Sequence, residues 1–132
     1  MASNHEVIKW KVITDWTKSK RGRLYCCNQG MATPIDREHP IWFGPLKRNF
    51  KGFPDLFGFN KIPLAGPRFC TVEVKTKAYP TISEAQKRVM TELIKSFGVD
   101  CYIAKEFEER YKLYLFIPDE SKRGYRLEEV EM

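Results

Sequence analysis

Three consecutive stretches decide the fold: residues 68–77 (RFCTVEVKTK), 82–97 (ISEAQKRVMTELIKSF) and 99–104 (VDCYIA). The first alternates. Cys70, Val72 and Val74 take one side of an extended chain, while Phe69, Thr71, Glu73 and Lys75 take the other. The second carries Val89, Met90, Leu93 and Phe97 at helical spacing and stops at Gly98. The third is a short apolar run of strand length. Strand, helix and strand in this order predict a βαβ crossover, with two parallel strands and a right-handed connection.

Outward from this unit, residues 4–17 predict a helix. Ser3 or Asn4 can cap it, and Val7, Ile8, Trp10, Ile13 and Trp16 supply apolar positions. The run Lys18–Arg23, which includes Gly22, ends it. Residues 24–28 read as a strand. Residues 29–53 carry Gly30, Pro34, Pro40, Gly44, Pro45 and Gly52 and read as a loop, unusually long for a compact domain without a functional reason. Residues 54–60 (PDLFGFN) read as a short strand, 61–67 as a turn, and 112–117 as a further strand beyond the charged segment 105–110. The acidic residues 128–131 read as a solvated end. The fold class is α/β, with element order αβββαβ and a mixed central sheet flanked by helices.

The chain has 132 residues, of which 42% are hydrophobic and 30% charged, the balance of one ordinary globular domain rather than a disordered or coiled-coil chain. Residues 1–132 are expected to form a single domain with a core over 3–104. No apolar run reaches the length of a membrane span and no signal-peptide pattern opens the chain, so the expectation is a soluble intracellular protein, in a bacterium or a virus-infected host, with no membrane partner. The net charge of +6 points to an anionic partner, nucleic acid being the commonest. Cys26, Cys27, Cys70 and Cys101 lack CxxC spacing, and His5 and His39 are isolated. These read as reduced thiols and not as a zinc site.

The residues with chemistry to offer are Asp55, Glu73 and Lys75. Glu73 and Lys75 are two apart on a strand and share a face. If strand 54–60 pairs with strand 68–77 as a hairpin, Asp55 approaches Glu73. Converging carboxylates repel unless a cation lies between them, and a hard divalent ion suits oxygen ligands. A lysine beside that ion can orient a water or stabilise charge on a phosphate. Against this stand simpler roles: a weak surface pair for Glu73 and Lys75, and a turn former for Asp55 after Pro54. Gln86 falls on the apolar stripe of its helix. Ser83-x-x-Gln86 fits a capping box, whereas Thr81-x-x-Glu84 fits another that would free Gln86 for the site. Glu6 stands in the first turn of the first helix, where an acid also suits the helix dipole.

Glu6, Gly52-Phe53-Pro54-Asp55, Glu73-Val74-Lys75 and Ser83-Glu84-Ala85-Gln86 occur in that order over residues 3–104, and Asn28 is followed by Gly30. In this the chain resembles the virus-type replication-repair nucleases (VRR-NUC) of the PD-(D/E)xK superfamily. It departs from them in extra Pro and aromatic residues at 31–51, and in the strand and tail beyond the core. The resemblance implies a restriction-endonuclease-like core. It implies Mg²⁺, with Mn²⁺ as substitute, held by Asp55, Glu73 and the Val74 carbonyl with Glu6 nearby, and no small-molecule cofactor. Lys75 would position the attacking water and Gln86 would support the site. The implied activity is endonucleolytic cleavage of DNA, as in Holliday-junction resolution, by a homodimer.

Two basic clusters are candidates for phosphate contacts: Lys18, Lys20, Arg21 and Arg23, then Lys47, Arg48 and Lys51, the second accompanied by Phe43, Phe50 and Phe53. Phe57, Phe59, Trp42 and Tyr79 read as packing residues. The rival reading is a nucleic-acid-binding module that does not cut; a third is a structural subunit in which Asp55 and Glu73 lie far apart.

Overall fold

The computed structural model describes residues 3–26, the strand backbones at 31–32 and 41–42, and residues 52–62 and 66–131. Two helices and a six-stranded mixed sheet make up most of the described chain, an α/β arrangement. Helix α1 is Asn4–Lys18 and strand β1 is Gly22–Cys26. A two-residue ladder, β2 (Met31–Ala32) with β3 (Ile41–Trp42), forms a separate small sheet. Strands β4 (Leu56–Ile62) and β5 (Gly66–Lys75) follow, then helix α2 (Glu84–Phe97). Strands β6 (Asp100–Phe107), β7 (Arg110–Pro118) and β8 (Tyr125–Val130) close the chain. The large sheet has the order β1-β4-β5-β6-β7-β8. Only β5 and β6 run parallel, and α2 is their crossover, as the alternation and helical spacing predict.

Among the described residues each face of the sheet has one helix. On one side Ile8, Val12 and Trp16 of α1 pack on Leu24, Leu56, Cys70, Val72, Val74, Tyr102 and Leu113. The spacing i, i+4, i+8 is the true stripe of α1; Val7 and Trp10 are exposed. Trp16 is fully buried, meets the Tyr102 ring edge-on at 5.4 Å and donates through Nε1 to the Phe59 carbonyl at 3.2 Å. On the other side Met90, Leu93 and Ile94 of α2 pack with Cys101, Ile103, Phe116 and Tyr125. Phe97, placed on this stripe by its spacing, is exposed instead.

Several boundaries differ from the sequence reading. The 61–67 segment is not all turn: β4 and β5 stay paired as far as Ile62 and Gly66. Residues 105–110 are a tight hairpin, with Phe107 paired to Arg110 and both Glu108 and Glu109 at positive φ (45° and 64°). That is a two-residue turn built from residues that rarely adopt it, so composition does not announce it. Of the acidic 128–131 stretch, Glu128, Glu129 and Val130 belong to β8 and extend the same sheet. Asn28 and the basic Lys47, Arg48 and Lys51 lie outside the described residues, as do Cys27 and the side chain of Trp42. Cys70 and Cys101 are buried free thiols, pushed up to about 12 and about 11, in each case chiefly by burial.

At Gly58 β1 and β4 approach closely: a Cβ there would meet the Arg23 carbonyl oxygen at 1.9 Å. Gly58→Ala is expected to force β1 off β4 and lower the melting temperature sharply. Trp16→Ala, which empties the middle of the α1 core, is expected to cost about 3–5 kcal/mol in chemical denaturation.

Candidate active site

Strand β5 is paired on both sides, so its alternating side chains leave the sheet plane in opposite directions. Val72 and Val74 enter the α1 core. Glu73 and Lys75 emerge on the α2 side, and both are buried, at 5% and 8% exposure. The antiparallel register pairs Leu56 with Val72, which sets Asp55 beside Glu73. The three residues singled out from sequence are thus brought together.

Asp55 is held from two sides. Its Oδ2 accepts the Val74 amide N–H at 2.8 Å and lies 3.1 Å from Nε2 of His5. The bond to Val74 ties the start of β4 to the end of β5. Glu73 sits against the Asp55 carboxylate, and its own carboxyl is raised well above the usual range. Burial is the main cause and the charge of Asp55 comes next; Lys75 offsets only part.

Lys75 is fixed by Gln86. Its Nζ donates to Gln86 Oε1 at 2.8 Å. The same oxygen accepts the Ser83 N–H at 2.9 Å, while Ser83 Oγ accepts the Gln86 N–H at 3.1 Å. The two roles weighed for Gln86 are therefore not alternatives. The Ser83–Gln86 capping box forms, α2 begins at Glu84, and the capped amide still reaches the lysine.

Glu73, Val74 and Lys75 line a cavity of about 580 Å³, walled also by His5, Thr76 and Tyr79. Glu6 is not brought in. Its carboxylate pairs with Lys9 at 2.6 Å, which lowers its pKa, and it borders a different hollow, with Val7, Trp10 and Lys11. What α1 offers to Asp55 is His5, which reads as isolated in sequence because its partner is fifty positions away. Arg21 is spent on the fold: its guanidinium lies over the rings of Trp16 (5.0 Å) and Tyr102 (5.6 Å). Arg23 is exposed on β1.

Two converging carboxyls, one buried and one half-buried, form a donor set that a hard cation would suit, since the ion offsets their repulsion. Among the described residues no group of three or more His, Cys, Asp and Glu converges as a metal cage. A hexacoordinate ion that keeps several waters needs only one or two carboxylates, so the residues present fit Mg²⁺ better than a cation that demands a full protein cage. Comparison with protein-family models and with curated proteins finds no match. Among the described residues no helix is long and apolar enough to cross a membrane.

The Glu73 shift has a definite pH signature. An unfolded chain loses the Glu73 proton near pH 4.5, whereas the cation-free folded chain holds it to higher pH. Its contribution to stability is therefore intact below that pH and declines as the pH rises. The melting temperature of the cation-free protein is expected to fall by several degrees more than that of Glu73→Gln between pH 5 and pH 9, read by circular dichroism. Gln86→Leu, which removes the acceptor shared by Lys75 and Ser83, is expected to cost about 1–3 kcal/mol in denaturant titration.

Proposed function

We propose that this protein is a divalent-metal-dependent endonuclease that hydrolyses DNA phosphodiester bonds, with structured or branched DNA such as Holliday junctions as substrate. On this reading the sheet and its two helices are a restriction-endonuclease-like core, and a homodimer presents two sites to two strands. One observation carries the reading: Asp55 converges on Glu73, and Glu73 lines an open cavity together with Lys75. Nothing in the packing of the sheet calls for a buried acid beside a half-buried one, and buried charge seldom persists without compensation.

Asp55 and Glu73 would hold Mg²⁺ or Mn²⁺, with the carbonyl of Val74 as a further donor. The chemistry such an ion supplies is polarisation of a phosphate oxygen and acidification of a bound water. The chain's own residues do the rest. The Val74 amide and His5 hold the Asp55 carboxylate in place. Gln86 holds the Lys75 ammonium, which orients the attacking water and stabilises the extra negative charge on the phosphate as the new P–O bond forms and the old one breaks. The cap at Ser83 makes this positioning rigid, because the oxygen that binds Lys75 also closes the first turn of α2. Glu6, tied to Lys9, takes no part in the arrangement described.

A second reading, a nucleic-acid-binding module that does not cut, draws on the absence of a three-ligand cluster among the described residues. Assays of plasmid and four-way-junction DNA with Mg²⁺ separate the two. Wild type is expected to cut, and Lys75→Ala to lose at least about 100-fold in rate while remaining folded. Equal cleavage by both proteins, or none by either, would sink the catalytic reading; salt-sensitive binding without cleavage would establish the module. Asp55→Asn is expected to abolish Mn²⁺ binding in calorimetry.

A further inference from the structure

The sheet face that carries Glu73 and Lys75 does not stop at the cavity. Alternation and register place Arg23 and Tyr25 of β1, Phe57, Phe59 and Lys61 of β4, and Phe69 of β5 on the same side. Helix α2 packs over β6 and β7 on this side, and no described element covers β1, β4 and the first half of β5 there. The consequence is a row of open rings: Tyr25 is 47% exposed, Phe57 and Phe59 each 40%, and Phe69 60%. They are grouped in two pairs, Tyr25 with Phe57 at 5.8 Å between centroids and Phe59 with Phe69 at 5.0 Å. Phe57 and Phe59 are thus not the packing residues that composition suggests. A contiguous exposed aromatic patch is uncommon on a protein without a partner for it.

Charge indicates what the partner is. Arg23 and Lys61 are both exposed on this side, and β1 and β4 present no carboxylate there. A second copy laid face to face would set cation against cation with no acid of β1 or β4 to offset them. An unpaired nucleic-acid strand supplies what the surface lacks, phosphates for the two cations and flat bases for the rings. A duplex cannot do this, because its bases are already stacked on one another. On β5 the same side continues through Thr71 to Glu73, both of them buried, so the rings lie at the approach to the site.

We propose that the open face of β1, β4 and β5 binds unpaired nucleotides, stacking bases on the Tyr25–Phe57 and Phe59–Phe69 pairs and leading the strand toward Lys75. This rests on the nuclease reading for its direction, and deepens it by making an unpaired strand, or the unpaired arm of a branched one, the preferred substrate.

The test uses the full chain in EDTA, so that no cleavage intervenes, with fluorescein-labelled dT20 and a 20-base-pair duplex as probes in fluorescence anisotropy. Wild type is expected to bind dT20 more tightly than the duplex. Removing one stacked ring is expected to weaken dT20 binding about fivefold or more, so Phe59→Leu/Phe69→Leu should lose about 25-fold with little change for the duplex. The salt dependence should be unchanged in that variant and shallower in Arg23→Ala/Lys61→Ala. Undiminished dT20 binding by the folded double-Leu variant would overturn the proposal, as would loss of self-association in sedimentation with dT20 binding intact, which would assign the face to a second copy. Should the Leu variant not fold, Phe69→Trp decides. Quenching of the added indole by dT20 supports the proposal, and an unquenched indole in a dT20-saturated protein overturns it. Failure here and failure of the nuclease reading are distinguishable. Ring-dependent dT20 binding with no Mg²⁺-dependent cleavage removes the nuclease and keeps the platform, whereas cleavage with ring-independent binding does the reverse.

Discussion

Strand β5 is bonded to a neighbour on each side, so its side chains have two directions and no third. Everything at the candidate site follows from that constraint. Three apolar residues on one side anchor α1, and the residues between them are forced out on the other. Because Cys70, Val72 and Val74 must be buried against the helix, Glu73 and Lys75 cannot exchange faces with them without taking the whole register with them. The acid and the lysine owe their placement to the packing of their neighbours.

The site is assembled where three chain segments meet: the end of β5, the approach to β4 and the start of α2. Each junction is made by one polar contact with a structural reason to exist. Asp55 satisfies the Val74 amide at the margin of the sheet, and Gln86 satisfies the amide of the residue that caps its helix. Both groups then have lone pairs left for a second partner, His5 in the first case and Lys75 in the second. Polar groups that close local structure are thereby the ones that hold the candidate chemistry rigid, an economical way to preorganise a small domain.

The other half of the same face shows the opposite regime. Over β6 and β7 the sheet is packed by α2, while over β1 and β4 no described element lies on this face, and the aromatic residues there are exposed. A single helix of fourteen residues cannot cover six strands. With strands about 4.8 Å apart, a helix about 10 Å across spans two or three of them. Which strands stay bare is decided by where the crossover lands, and the crossover from β5 to β6 must land beyond β5.

Local pattern determined a good deal. The alternation at 68–77, the helical spacing at 82–97 and the stop at Gly98 specified the βαβ unit, and the shared face of Glu73 and Lys75 followed from a period of two. The hairpin that brings Asp55 to Glu73 was legible as a condition, because short paired strands were in sequence but their register was not. Other features were illegible for physical reasons. The Glu108–Glu109 turn has no Gly or Asn to mark it. The last strand is mostly exposed, so its composition resembles a solvated tail. The choice of His5 over Glu6 depends on how α1 rolls when Ile8, Val12 and Trp16 are buried, which turns Glu6 toward Lys9. The exposure of Phe57 and Phe59 depends on coverage by a helix far away in the chain. Sequence periodicity assigns each residue to a side of its own element; only the tertiary packing of one element on another decides which sides are covered and which distant side chains meet.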